Sequence, residues 1–378
     1  DDGRHRAGLV MSPRRVLLVL GPSAGGIRQH VAVLADALEQ RGWTVRVAGP
    51  PGVMDGLRRL DAEIDVPASK RPDRLLRAAG QLRRVRGDAE VIHAHGFGAA
   101  AVSRLARLGR PLVVTVHNLV IPENAGRFHA AKVWLARQVL SGCDRVIVIS
   151  PEIDAEVATV VPDERRRYVL PMSAERSPDR DRATTREALG IAEDIPLVVV
   201  VARINPQKDL GTFLRAMAAV RDRLPQVRAI VVGDGEEAEA TTLEALRQSL
   251  RLGSTVEFVG RRTNPADEMM AADVVALSSA WEGSPIAVVE ALRLGRPLVS
   301  TAVGTVPYDL TDGVDARVVP IGDPAALGTA IVEVLTDPVK AEAMAQRGRK
   351  LAERIYEPDR LVGQIVDVYG EVLMEASI

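Results

Sequence analysis

Between Val274 and Thr301 the chain reads VVALSSAWEGSPIAVVEALRLGRPLVST, an order of residues that admits one local structure: strand, loop, helix, abrupt stop, strand. Val274 to Leu277 form a short apolar run after Asp273, the length of a buried strand. Ser284-Pro285 predicts a helix start, with serine at the N-cap and proline at the first helical position, where no N–H is needed. Ile286, Val289 and Leu292 recur at helical spacing. Gly295 suits a left-handed C-cap, and Pro297 prevents the helix from resuming. Pro297 to Ser300 then leads into the next strand.

Two glutamates frame this helix start. Glu282 lies in the loop before it, and Glu290 lies inside it, about 8 Å along the axis at ~1.5 Å per residue. A helix N-terminus offers free N–H groups and a partial positive charge to an anion. Carboxylates repel phosphate but accept hydrogen bonds from hydroxyls. The combination therefore fits a ligand that carries both phosphate and hydroxyls.

The rest of the chain repeats strand–helix alternation. Arg15 to Leu20 predict a buried strand, followed by the loop Gly21-Pro-Ser-Ala-Gly25-Gly26, an amphipathic helix from Ile27 to Arg41, and a strand over Thr44 to Ala48. That is a βαβ unit, which implies a parallel sheet covered on both faces. The glycines let backbone approach a phosphate closely. The loop is not Gly-x-Gly-x-x-Gly and no Gly-x4-Gly-Lys-Ser/Thr occurs, so neither a dinucleotide fingerprint nor a P-loop is present. Strands ending in His93 and His95, and in His117, bring three histidines to the carboxyl edge where open α/β sheets bind ligands. His93 and His95 alternate along one strand and no carboxylate accompanies them at ligand spacing, so no metal site is expected. Asp144 to Ser150 and Tyr168 to Pro171 predict the last strands of the first half. Ser173 to Thr185 (SAERSPDRDRATT) is polar and charged, a credible linker. It contains Asp179-Arg180-Asp181, an Asp-x-Asp without a preceding strand, set aside as a metal motif. In the second half, VARINPQKDLGTFLRA places Arg203 and Lys208 between a strand end and a helix. A fixed cationic pair there would hold a diphosphate and stabilise charge as it leaves.

Glu282 and Glu290 in the context WEGSPIAVVEALRLGRPLV, together with VARINPQKDLGTFLRA and Gly25-Gly26, resemble the retaining glycosyltransferases of family four with the GT-B fold. The resemblance covers nearly the whole chain beyond residue 12. It implies an α/β architecture of two Rossmann-like domains with parallel sheets facing each other across a deep cleft. Residues 1–12 would be a tail, 13–172 the acceptor-side domain, 173–185 the linker, and 186–357 the nucleotide-sugar domain. Residues 358–378 would be a helix crossing back to the first domain. It further implies that Arg203 and Lys208 hold the diphosphate, that Glu290 binds ribose hydroxyls, and that Glu282 binds sugar hydroxyls with amides of the Gly283, Ser284, Pro285, Ile286, Ala287 stretch beside it. Gly25 and Gly26 would face the diphosphate and the acceptor, His117 the transferred sugar and acceptor, and Gly260 and Arg261 the nucleobase. His93 and His95 match a strand-end pattern whose role is equally well structural. The donor would be a UDP-sugar first and a GDP-sugar next; the acceptor a hydroxyl on a lipid, polysaccharide or natural product, as in cell-envelope or polysaccharide biosynthesis. No metal or other cofactor and no nucleic acid would be needed. A nucleotide-sugar 2-epimerase of the same fold, a non-catalytic nucleotide-sugar binder, and a dinucleotide oxidoreductase are the competing classes, the last disfavoured by the missing fingerprint.

Composition narrows the setting. Of 378 residues, one is cysteine, Cys143, which excludes an intramolecular disulfide and a cysteine zinc cluster. No run approaches the roughly 20 apolar residues of a membrane span, and residues 1–12 lack a signal-peptide core; a cytoplasmic protein is expected. Residues 1–172 carry 26 basic and 18 acidic side chains, and the remainder 23 and 32. Basic residues concentrate at Lys70 to Arg86, where Leu75, Leu76, Ala79 and Leu82 supply an apolar side. A solvated charged helix accounts for this stretch, and peripheral docking on the inner face of an anionic membrane is the sharper reading.

Overall fold

The computed structural model describes residues 14–23, 25–67, 72–118, 129–173 and 175–377. The expected tail at 1–12, Lys70 and Arg71 lie outside the described residues. Two open sheets organise the chain, and every strand pair within them is parallel.

The first sheet has seven strands in the order β3-β2-β1-β4-β5-β6-β7. These are β1 (Arg15–Leu20), β2 (Thr44–Gly49), β3 (Ala62–Glu63), β4 (Val91–His95), β5 (Leu112–Val116), β6 (Arg145–Val148) and β7 (Arg166–Tyr168). The second has six, β10-β9-β8-β11-β12-β13: β8 (Leu197–Val201), β9 (Arg228–Val232), β10 (Val256–Gly260), β11 (Val274–Leu277), β12 (Leu298–Thr301) and β13 (Arg317–Val319). In both sheets the chain starts in the middle, builds to one side, then crosses to the other. The topological switch between β1 and β4, and between β8 and β11, opens a crevice at the carboxyl edge.

The period-2 alternation of strands sorts residues into layers. On β1, Leu17 and Val19 face one way, against helices Pro72–Val85 and Phe97–Ala106. Val16, Leu18 and Leu20 face the other, against helix Gly26–Gln40 and the last helix, Pro358–Glu375. That second layer is continuous with the face of the second sheet that carries Leu197, Val199, Val275 and Leu277, so one apolar core spans both halves. The opposite face of the second sheet packs on helices Leu210–Arg223 and Pro324–Thr336. These two helices approach closely at Gly328, where an added Cβ would lie 3.0 Å from the Ala216 carbonyl oxygen.

Helix Pro358–Glu375 lies on the first sheet although it follows the second in sequence. Tyr369 is fully buried, its ring 5.2 Å from that of Trp43 and its hydroxyl 2.7 Å from His93 Nδ1. Arg145, nearly buried, donates to Glu371 at 2.9 Å and to Glu375 at 3.0 Å, and Arg167 donates to Glu371 at 2.6 Å. Pro358 starts this helix cleanly because Glu357 accepts from the Asp359 amide at 2.9 Å. Among the described residues no helix is long and apolar enough to cross a membrane.

Three local expectations shift. The last strand of the first sheet is Arg166–Tyr168, ahead of the expected Tyr168 to Pro171, because Val146, Ile147 and Val148 of β6 pair with Arg166, Arg167 and Tyr168. A helix, Arg182–Ala188, begins inside the 173–185 stretch, because Asp181 caps it by accepting from the Thr184 amide at 2.8 Å. The other member of that Asp-x-Asp, Asp179, accepts from Asn264 at 3.0 Å, so both carboxylates serve the backbone and its packing. The basic helix Pro72–Val85 buries Ala78, Ala79 and Leu82 and leaves Leu76 64% exposed beside Arg77 and Arg84.

Candidate active site

The carboxyl edges of the two sheets face each other, and glycines set how closely. A Cβ on Gly26 would lie 2.7 Å from Ile286 Cδ1 across the cleft. On Gly283 it would lie 2.4 Å from the His117 carbonyl oxygen and 2.9 Å from Ile149 Cδ1. Gly25, at φ +63°, precedes helix Gly26–Gln40 in a conformation that a side chain resists. Gly283→Ala is therefore expected to wedge the halves apart. A displacement on the order of 1 Å at a reacting site costs about 100-fold in rate. Turnover with an unchanged circular-dichroism melt checks this, and full activity would overturn it.

On the second sheet's side, the loop after β8 folds against the loop after β11. Pro206–Lys208 form one 3₁₀ turn, ended by Asp209 in the left-handed region at φ +41°. That strained residue is held because its carboxylate accepts from the Thr212 hydroxyl at 2.7 Å and the Thr212 amide at 3.2 Å. Ser278 donates to the Lys208 carbonyl at 2.9 Å, and the Ala280 amide to the Gln207 carbonyl at 2.9 Å. The two loops are thus tied together, and they place Lys208 Nζ on Glu282 Oε1 in an ion pair. Ser279 Oγ donates to the same oxygen at 2.9 Å, and Gln207 Nε2 to Glu282 Oε2 at 3.1 Å. Three donors therefore orient the Glu282 carboxylate. Arg203, the other expected cation, is exposed at the end of β8 with no hydrogen bond or ion pair to a described residue. Gly233 and Gly235 cradle this segment, since a Cβ on either would lie 1.9 Å from the Ala202 or Ile204 carbonyl oxygen.

The helix after Glu282 begins one residue later than the sequence suggests. Pro285 is the N-cap, in extended conformation, and Ile286–Arg293 is helical. Ser284 does not cap it. Its hydroxyl accepts from Thr305 Oγ1 at 3.3 Å, because Gly304, at φ +55°, tucks the following loop against the Gly283 carbonyl. Gly295 does close the helix in the left-handed region, at φ +61°. Glu290, the fifth residue of the helix, is 8% exposed, and burial raises its carboxyl above the usual range, opposed by Arg176 and Arg293. Its Oε1 is buried without a hydrogen-bond partner, 3.5 Å from Arg176 Nε. A buried acceptor of this kind is costly unless something donates to it. Gly260, at φ +70°, ends β10 and accepts from the Gly233 amide at 3.0 Å; Arg261 after it is exposed.

The first sheet contributes a histidine cluster. His93 sits between Tyr369 and Thr115 Oγ1, each 2.7 Å away. His95 Nδ1 is 3.2 Å from His117 Nε2. A fourth ring, His30 from helix Gly26–Gln40, crosses both edge-on at 5.3 and 5.2 Å. Burial lowers all four, His30 to about 4 and His93 to about 3, with His95 and His117 well below the usual value, so the rings are neutral at pH 7. Ring nitrogens of His30, His95 and His117 lie within 4.8 Å of one another, a spacing that invites a cation. The hydrogen bonds argue otherwise. His30 Nδ1 is 2.9 Å from the Met172 amide and can only accept from it. A metal-bound imidazole donates from its second nitrogen, and His30 has no proton to place there.

Two family models match: glycosyltransferase family 4 over residues 24–172 and glycosyl transferases group 1 over residues 181–351. A D-inositol 3-phosphate glycosyltransferase of Salinispora tropica is 30% identical over 331 residues, 79% of this chain and 68% of the relative. The chain belongs to this glycosyltransferase family. A second relative of that name, from Geodermatophilus obscurus, is 31% identical over 77% of this chain and 68% of its own. Among solved structures, the sucrose-phosphate synthase of Thermosynechococcus elongatus superposes with TM-score 0.83 at 23% identity, covering 96% of this chain and 100% of that one. Anabaena HepE in complex with UDP and glucose gives 0.82 at 20%, covering 95% and 99%. These neighbours make the fold of the glycosyltransferase GT-B.

The glycosyltransferase brings Lys208 and Glu282 into contact, and Gly26 and Gly283 to opposite sides of one cleft, but leaves Arg203 and Arg261 on open loop positions. Sequence reading missed His30, Arg176, Arg293 and Gln207. His30 was legible as a polar residue in the apolar stripe of Val31, Leu34 and Leu38, four positions after Gly26. Arg293, three residues after Glu290, donates to Ser173 O at 3.1 Å, Ser173 Oγ at 3.0 Å and Tyr356 O at 2.6 Å. One guanidinium thus ties together both places where the chain passes between the two sheets. Arg176 lies in irregular chain, where no periodicity marks it.

Proposed function

We propose that this glycosyltransferase moves a sugar from a nucleotide-diphosphate sugar to a hydroxyl acceptor with retention of anomeric configuration and without a metal ion. The observation that carries the reading is the buried Glu290 Oε1, which accepts no hydrogen bond although Arg176 Nε lies 3.5 Å away, one turn inside the helix whose preceding loop holds Glu282 on Lys208. Glu290 accepts from the ribose hydroxyls. The amides of Ile286 and Ala287, which donate to no described residue, meet the diphosphate. Glu282 accepts from sugar hydroxyls, while Lys208 and Arg203 stabilise the leaving phosphate. Gly260 and Arg261 lie against the base. Attack comes from the face the nucleotide leaves, and the departing phosphate oxygen takes the acceptor proton. UDP in the HepE complexes supports a UDP-sugar as first choice, ahead of a GDP-sugar. The names of the sequence relatives add a phosphorylated cyclitol to lipid, polysaccharide and natural-product acceptors. Free Arg74, Arg77 and Arg84 on helix Pro72–Val85, with exposed Leu76 among them, support peripheral contact with an anionic membrane.

The test is transfer from UDP-, GDP-, ADP- and dTDP-sugars, with EDTA present, followed by NMR of the product's anomeric centre. Selective use of one nucleotide, indifference to EDTA and a retained anomer are expected. An inverted product or loss of turnover in EDTA overturns the mechanism, and a 2-epimer formed without acceptor overturns transfer. In a donor titration Glu290→Ala weakens binding about 10- to 100-fold, the scale of a lost charged hydrogen bond. Unchanged affinity removes Glu290 from the ribose site.

A further inference from the structure

We propose that Arg176 is a positioning residue of the nucleotide-sugar site: the chain connecting the two halves delivers its guanidinium to Glu290 as a counter-charge that takes up neither carboxylate oxygen, so that both stay available to a pair of neighbouring hydroxyls.

Glu290 is an ionisable group in an enclosed place, and burial disfavours its charged form. Protonation would turn one of its oxygens from an acceptor into a donor. Hydroxyls on adjacent carbons, as a ribose presents them, are best met by a carboxylate whose two oxygens both accept. The site therefore needs a cation close enough to hold the charge that does not itself consume an acceptor. Arg176 meets both conditions. Its Nε lies 3.5 Å from Glu290 Oε1, within ion-pair range, yet Oε1 accepts no hydrogen bond, and Oε2 accepts none from a described residue. Arg176 has no other ion pair and no hydrogen bond to a described residue, so its charge is not spent elsewhere.

The other cation near Glu290 is Arg293, one turn further along the same helix. Its guanidinium is engaged by Ser173 and by the Tyr356 carbonyl, and it is the weaker of the two charges that favour ionised Glu290. Glu175, Tyr356 and Glu357 act on Arg293. Helix Pro338–Ile355 packs on this helix with Gly348 against Leu292 and brings Arg349 to Gly295, beyond Glu290. The flanking strands β11 and β12 carry no charged side chain. The place of Arg176 is fixed from both sides. Three residues before it, Ser173 is held by Arg293 at 3.0 and 3.1 Å. Three residues after it, the Asp179 amide donates to Asp267 at 2.7 Å, and Arg180 Nε donates to the same carboxylate at 2.9 Å. A residue of the connecting chain, outside the strands and helices of either half, thus completes the site around Glu290.

This role rests on the transferase reading, in which Glu290 meets the ribose, and two measurements separate the one from the other. The first needs no ligand: ¹³C NMR of the full chain labelled at the glutamate carboxyls, with Glu290 assigned by Glu290→Gln. Arg176 favours the charged carboxylate, so its removal lets protonation begin at higher pH. Arg176→Gln is expected to move the Glu290 titration upward, and Arg176→Lys, which keeps the charge, to hold it near that of the unaltered protein. The second is UDP binding by calorimetry from acid to alkaline pH. In Arg176→Gln binding should be lost on the acid side and recovered on the alkaline side. The ratio of alkaline to acid affinity should exceed that of the unaltered protein by about 10-fold, the low end of what a neighbouring guanidinium does to a carboxylate. Comparison with the unaltered protein cancels the titration of the nucleotide's own phosphate. Arg176→Ala should give the same ratio, which guards against a fault peculiar to glutamine, and Arg176→Lys should restore the unaltered profile. A Glu290 titration unchanged in Arg176→Gln and Arg176→Ala, or a loss of UDP affinity equal at every pH, overturns the proposal. UDP affinity indifferent to Glu290→Gln, with the carboxyl titration moved as expected, overturns the ribose assignment and with it the role of Arg176 there.

Discussion

Replacing Lys208 with alanine should lower sugar transfer by about two to three orders of magnitude, the scale of losing a preorganised group that meets charge developing in the transition state. Lys208 is the cation that the fold brings into the cleft: its turn is pinned by Ser278 and by the Ala280 amide, and its ammonium rests on Glu282. The loss would have two parts. The leaving phosphate loses a counter-charge, and Glu282 loses the partner that neutralises it in a nearly buried position, leaving, among the described residues, Ser279 and Gln207 as donors. Lys208→Arg keeps the charge but not the point-like ammonium, so it should recover part of the rate. Arg203→Ala provides the contrast. Arg203 bonds to no described residue, so any loss in that variant reports contact with the ligand alone. Single-turnover rates with saturating donor check the assignment, and near wild-type turnover of Lys208→Ala would remove Lys208 from the chemistry.

The largest effect on stability is expected at Asp273, far from the cleft. Its carboxylate accepts from Arg182 at 2.8 Å, from Arg186 at 2.8 Å and from the Leu197 amide at 2.8 Å. Arg186 is 1% exposed and donates besides to the Ala271, Ala192 and Ile195 carbonyls. This carboxylate is the nearer of two counter-charges of a buried guanidinium, Glu193 Oε2 lying 3.8 Å from Arg186 Nε, and it sets the entry of β8 beside β11. Breaking a buried pair costs about 3–5 kcal/mol, because the surviving charge is stranded. Asp273 is itself a third exposed, which places Asp273→Ala near the lower end, about 3 kcal/mol. In a unit of this size that lowers the midpoint by about 10 °C. Asp273→Asn, which retains an acceptor for the Leu197 amide, should lose less. Calorimetry that resolves the second half's transition is the check. An unchanged midpoint would show that Glu193 and the backbone carbonyls suffice for Arg186.

Helix 286–293 shows how far sequence reasoning reached. The apolar spacing of Ile286, Val289 and Leu292, with Gly295 and Pro297 after it, marked the helix and its stop correctly, since each is a property of a few adjacent residues. Its first residue was misplaced by one. Ser284 is drawn off by Thr305, and a competing partner 21 residues away leaves no trace in a local pattern. The same division runs through the cleft. The glycine loop after β1 could be read as a close backbone approach, but not that Gly26 would meet Ile286 of the other half.

Short-range periodicity and backbone chemistry carried the part of the fold that was legible residue by residue. Buried runs of four to six residues alternating with amphipathic helices dictated parallel sheets. Gly295 and Pro297 dictated where the helix after Glu282 ends. The tertiary structure alone decided which charges are neutralised and which polar atoms are satisfied. Met172 meets His30 across 142 residues, Lys208 meets Glu282 across 74, and Arg293 reaches Ser173 across 120. One end of each bond lies in irregular chain, at Met172, Glu282 or Ser173, where neither the sheet's alternation nor the helix period applies. No repeat in the sequence records them, and they arise only when two sheet edges are brought face to face.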